Sequence, residues 1–122
     1  MLAPAVLAMG LVVTLSWAST VLDIASLLDN PESYQLEVVR VTGIVANHKI
    51  RQWGTNRCLQ SYTLKDVTGS IRALQRANCA GAKNSLRNRD LVTVEARFEW
   101  TRGKSSVLKV QSILAKVAPS AQ

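Results

Sequence analysis

The stretch that most constrains this chain is Tyr62-Thr-Leu-Lys-Asp-Val-Thr-Gly-Ser-Ile71. Tyr62 and Leu64, then Ile71 and Ala73, are apolar at alternate positions on either side of Asp66-Val67-Thr68-Gly69. Alternation at period two turns one side of each run toward a core and the other toward water. Asp hydrogen-bonds backbone two residues on, and Gly takes a positive φ without a Cβ clash, so the four intervening residues are turn chemistry. The segment is expected to be a β-hairpin with Gly69 in the left-handed region. A lone hairpin is marginal in water, so flanking strands must close over its apolar face.

A chain of 122 residues holds one core, and the flanking strands are sought within a single domain. Thr20-Val-Leu-Asp23 has the form of a capping pair, followed by Ile24, Leu27 and Leu28 at helical spacing with Val21. Asn30-Pro31 stops that helix, so residues 19–35 form a short helical lead-in. Residues 36–47 read as a long strand, Val39, Val41 and Val45 on one face, with Gly43 marking a bulge or a bend. Residues 48–57 are polar and basic and read as an irregular loop, with His48 a solvated residue in it. The hairpin strands are 59–65 and 70–75. A basic connection, 76–89, has room for one helical turn around Ala82 and Leu86. Residues 90–100 alternate most clearly, with Val92, Val94, Ala96, Phe98 and Trp100 on one face. After a Gly-containing turn at 101–105, a last strand, 107–113, turns Leu108 and Val110 inward, and 115–122 reads as a frayed tail.

The first eighteen residues carry no charge, and Ser16-Trp17-Ala18 puts small residues where a signal peptidase cuts. Residues 1–18 are therefore expected to be a signal peptide removed after Ala18, leaving no membrane span and a periplasmic or secreted protein. No Lys or Arg precedes the apolar run, which leaves open a start further upstream or retention as an anchor. Cys58 and Cys79 flank the hairpin, and a turn near Val67 and Thr68 sets Cys58 opposite about residue 77. A bridge between them fits export, and two free thiols fit a reducing compartment.

Charge is uneven along the chain. Residues 19–37 carry four acids and no base, whereas the rest carries fifteen bases against four acids. Such a surplus either attracts polyanions or keeps an exported protein in solution.

Short helix, long bent strand, loop, hairpin, basic connection and a final strand pair make an all-β, five-stranded Greek-key barrel of the OB type. Val41-Thr-Gly-Ile-Val45, Tyr62-Thr-Leu-Lys-Asp-Val-Thr-Gly-Ser-Ile71 and Asp90-Leu-Val-Thr-Val-Glu95 together resemble the phrasing of OB-fold nucleic-acid-binding domains. Ser26-Leu-Leu-Asp-Asn-Pro-Glu-Ser-Tyr34 is similar to the lead-in of small exported bacterial proteins of that fold. The resemblance covers about residues 22–113 and implies a barrel over 36–114.

It also implies a place for a ligand, across the second and third barrel strands and between the loops joining strands one to two and four to five. The first loop offers Lys49, Arg51, Trp53 and Arg57; the hairpin offers Tyr62, Arg72 and Arg76; the last turn offers Arg102 and Lys104 beside Trp100. Bases interleaved with aromatics suit single-stranded nucleic acid or another polyanion. Tyr62 and Trp100 continue apolar strand faces and read as core sooner than as platform, while Trp53 has no apolar partner in register. Arg40 and Arg97 lie within strands and have Glu95, Glu99 or Glu37 as partners. One histidine, no paired carboxylates in a known frame, no phosphate loop and no nucleophile–base pair point away from an enzyme, a metal and a cofactor. The sequence thus points to a monomeric, non-catalytic binding module, with a protein partner in the cell envelope as the alternative occupant.

Overall fold

The computed structural model describes residues 20–119; the expected signal peptide lies outside the described residues. Along the chain come β1 (Val21–Leu22), α1 (Ile24–Asp29), α2 (Pro31–Tyr34), β2 (Val38–Gln52), β3 (Cys58–Asp66), β4 (Gly69–Ala77), α3 (Cys79–Ser85), β5 (Leu91–Glu99) and β6 (Val107–Val117). Strands β2, β3 and β4 are joined antiparallel, β4 runs parallel to β6, and β6 lies antiparallel to β5. Pairing of β5 back onto β2 closes a five-stranded barrel. Among the described residues no helix is long and apolar enough to cross a membrane.

Closure depends on β2 serving two neighbours. Its residues 38–44 pair with β5 and its residues 44–52 pair with β3, so Ile44 meets both Leu91 and Lys65. Gly43 stands at this handover. A Cβ there would lie 3.0 Å from the Lys65 carbonyl oxygen and 3.2 Å from its nitrogen. The glycine therefore lets two backbones approach where the strand bends. The bulge expected at Gly43 sits further along, between Ala46 and Lys49, where Asn47 takes φ 53°.

The hairpin forms as read, Asp66 opposite Gly69 across a two-residue turn, but the part its glycine plays differs. Gly69 is not in the left-handed region; among the described glycines only Gly54 and Gly103 are. Asp66 holds the turn, through the bond two residues on that its place before the turn predicts. Its Oδ1 accepts from the Thr68 nitrogen at 2.7 Å and the Gly69 nitrogen at 3.0 Å. Its Oδ2 accepts from the Ile24 nitrogen at 3.0 Å, and Thr68 Oγ1 accepts from the Ala25 nitrogen at 3.0 Å. The first amides of α1 are thus satisfied by the hairpin turn, not by Thr20, which precedes β1. The free amides at a helix start need an acceptor, and tertiary structure supplied one from 42 residues away.

Tyr62, Leu64, Ile71 and Ala73 are buried as the alternation requires, and Val92, Val94, Ala96 and Phe98 meet them from β5. Ile24 and Leu27 of α1 join the same core. Helix α3 is longer than the single turn expected. Asn78 caps it by accepting from the Gly81 nitrogen at 2.6 Å, and the buried Ala82 and Leu86 seat it on the core. Cys58 pairs with Ala77 in the hairpin register, and the Cys58–Cys79 disulfide is formed, with Cα atoms 5.0 Å apart.

Three further expectations are corrected. Residues 48–52 are not loop: β2 continues as an arm paired with β3 up to Gln52 opposite Cys58. His48 is half-buried at the bulge, its Nε2 2.7 Å from Gln60 Oε1 and its ring 6.1 Å from that of Tyr62. Residues 115–117 belong to the barrel, because β6 follows β5 as far as Leu91 opposite Val117.

Candidate functional site

Each outward residue of β3 meets an outward residue of β4. Leu59 faces Arg76, Ser61 faces Leu74, Thr63 faces Arg72 and Lys65 faces Ser70. Two of these rows extend sideways: Lys49 and Arg51 on the β2 arm pair with Ser61 and Leu59, and Lys109 on β6 pairs with Leu74. Partners in adjacent strands project on the same side of a sheet, so the cations of these rows share one surface.

Four hollows cover this surface. The largest, about 650 Å³, lies between the arm and the hairpin, bordered by Lys49, Arg51, Ser61, Thr63 and Arg72. A second, about 550 Å³, is lined by Trp53, Asn56, Arg57 and Arg76 where the arm tip meets α3. A third holds Leu59, Leu74, Arg76 and Lys109, and a fourth holds Arg72, Leu74, Lys104 and Lys109. Shared walls make them one groove: Leu59 belongs to the first and third, Arg76 to the second and third, Arg72 to the first and fourth.

The groove's charge is predominantly positive. Its only acid is Glu99, whose Oε2 already accepts from Arg97 Nη2 at 3.0 Å. Among the described residues no ion pair engages Lys49, Arg51, Arg57, Arg72, Arg76, Lys104 or Lys109. Arg40 is paired with Glu95 at 3.3 Å, as its place in a strand led one to expect.

Most of the residues singled out from sequence come together here: Lys49, Arg51 and Arg72 around the first hollow, Trp53 and Arg57 around the second, Lys104 in the fourth. Two do not serve as expected. Tyr62 touches the first hollow but is only 2% exposed; its hydroxyl donates to Gln75 at 3.3 Å, and burial pushes its phenol above the usual range. It is a core residue whose ring offers no stacking surface. Arg102 lines none of the hollows and faces Glu32 at 3.7 Å in an exposed pair. Lys109 was overlooked, although its place between the inward Leu108 and Val110 is the signal that turns it outward. Leu59 and Leu74, half-buried in the groove floor, were overlooked likewise.

The arm that carries Trp53 and Arg57 is fixed at its tip. The Trp53 nitrogen donates to the Arg57 carbonyl at 2.9 Å, with Gly54 at φ 65° and Asn56 at φ 60° turning the chain between them. Asn56 Oδ1 accepts from the Cys79 nitrogen at 3.0 Å, and Cys58 is bonded to Cys79. Sequence-distant α3 thereby holds the arm against the barrel. On the far side of the groove, the 101–106 turn is set by Gly103 at φ 81° and by the Lys104 nitrogen donating to the Thr101 carbonyl at 2.9 Å. Gln35 anchors it by hydrogen bonds to both the nitrogen and the carbonyl of Trp100.

Among the described residues no group of three or more His, Cys, Asp or Glu side chains is arranged to hold a metal ion. No family model matches the sequence, and no curated protein matches it. Solved structures do. The second OB-fold domain of replication protein A from Methanococcus maripaludis matches with a TM-score of 0.59 and 20% identity, over 84% of this chain and 100% of that one. An assigned aspartyl-tRNA synthetase from Leishmania major Friedlin matches with a TM-score of 0.59 and 21% identity, over 83% of this chain. The present chain spans about a fifth of that protein's length, 21%. At such identities the likeness speaks for fold, and it agrees with the strand order derived above: this chain folds as an OB barrel.

Proposed function

We propose that this protein is a monomeric, non-catalytic binding module of an exported, oxidising compartment, and that its groove holds a polyanion, single-stranded nucleic acid before an oligosaccharide. The observation that carries the reading is the groove's composition: seven unpaired Lys and Arg side chains against one acid that is already engaged. Position supports it, because ligands of OB folds cross the face of the second and third barrel strands between two flanking loops. Here those are β3 and β4, between the arm tip and the 101–106 turn. One solved neighbour is named a domain of replication protein A and the other an aspartyl-tRNA synthetase. The Cys58–Cys79 disulfide is compatible with an oxidising compartment.

Binding is tested by anisotropy of a labelled single strand titrated with the wild-type chain and with Arg72→Glu/Arg76→Glu. The wild type binds saturably, and log Kd rises linearly with log salt at about 0.7 per phosphate contact for a single strand. The double variant binds at least about tenfold more weakly, with a shallower slope. Equal affinity of the two proteins contradicts the reading.

A protein partner in the same groove is the second reading, favoured by the apolar floor of Leu59 and Leu74. It calls for binding that persists as salt rises.

A further inference from the structure

Proteins that hold single strands on this fold combine cations that follow the backbone with rings on which successive bases stack. In this groove the two are unequally supplied. The eight outward positions where β3 faces β4 are Leu59, Ser61, Thr63, Lys65, Ser70, Arg72, Leu74 and Arg76, and none is aromatic. The rings that might have served turn elsewhere. Tyr62 and Phe98 are 2% and 0% exposed, and Tyr34 and Trp100 pack against the core. Among the described residues Trp53, 41% exposed, is the ring left to a ligand, and it stands at one end, beside Arg57 and Arg76. Cations, by contrast, occur in every one of the four joined hollows.

Granting the reading above, we infer that the groove grips an extended phosphodiester chain by its phosphates, with a single base stacked on Trp53 and the other bases unread. Arg72, Arg76 and Lys109, with Lys49 and Arg51 from the arm, neutralise the backbone. Ser61 and Thr63 are too short to cover a base, so the floor accommodates sugars and phosphates of any sequence. The site is therefore indifferent to base composition, and its one base-dependent contact lies at the arm.

The test compares two strands of about twelve units, within the span of one OB fold: oligothymidylate and a base-free strand of the same sugar–phosphate repeat. The wild-type chain is expected to prefer the base-bearing strand by about tenfold, the contribution of one stacked base. In Trp53→Ala the two strands should bind within about twofold of each other, with base-free binding unchanged from wild type. A preference of about tenfold or more that survives in Trp53→Ala would place base recognition elsewhere on the face and overturn the inference alone. Displacement of both strands by a heparin fragment at lower concentration would assign the groove to a sulfated glycan and also overturn it. Absence of saturable binding to either strand would remove the underlying reading as well. Trp53 lies in an exposed turn, so far-UV circular dichroism of the variant should match that of the wild type.

Discussion

Asp66 does work that its neighbours in sequence do not reveal. Burial by itself would raise its carboxyl pKa, but hydrogen bonds from Thr68, Ile24 and Gly69 outweigh that and hold it below the usual range. A carboxyl lowered in the folded state binds its proton less readily there than in the unfolded chain. Its contribution is therefore present above the unfolded value, about pH 4, and is lost as pH falls through the lowered value. Asp66→Asn should flatten this acid limb in denaturant titrations taken from neutral pH downward. Asp66→Ala, which strips the acceptors from both the turn and α1, should cost about 1–2 kcal/mol at neutral pH. Gly43 is the second residue of this kind. An alanine there would meet Lys65 backbone, which cannot swing aside as a side chain can, so Gly43→Ala should lower stability by about 1–3 kcal/mol in urea unfolding. Both residues could be singled out in the sequence, but their partners could not. An Asp before a turn announces local hydrogen bonds, whereas its bond to a helix 42 residues upstream exists only once the barrel has closed.

At the scale of elements, legibility followed one-sided burial. The β5 strand alternates without interruption because one face is core and the other water, and it runs close to where the pattern placed it. The outer part of β2 lacked that signal. Beyond Asn47 it pairs on one side only, with β3, and most of its side chains are exposed, so residues 49–52 show no alternation to read and their Gln, Lys and Arg resemble loop. The end of β6 was missed for the same reason, since residues 114–117 are all exposed. Arm and helix are joined by the disulfide, which closes a separation of 21 residues. Its loss in Cys58→Ser/Cys79→Ser should cost about 3 kcal/mol in the chain-entropy model. Because Asn56 and Cys58 both tie the arm tip to Cys79, amides of residues 50–57 should exchange faster in that variant. The β5 amides around Val94, deep in the barrel, should stay protected under native conditions. Equal loss of protection in both regions would mean that the bridge supports the whole barrel and not the arm in particular.

The whole molecule separates its charges. Glu32 of the lead-in reaches Arg102, while Arg72, Arg76 and Lys109 share a surface with the arm. Their convergence was the part of the site least legible in sequence, because cations from three strands and two loops meet only through barrel closure. The central claim is that a polyanion occupies the groove over β3 and β4, and amide chemical-shift mapping with a short single strand tests it most directly. Saturating shifts should gather at Trp53, Arg57, Ser61, Thr63, Arg72, Arg76 and Lys104. They should spare the opposite surface, where Thr42 meets Thr93 and Ile44 meets Leu91. Shifts centred on that opposite surface, or shifts spread evenly over every exposed Lys and Arg, would contradict the account.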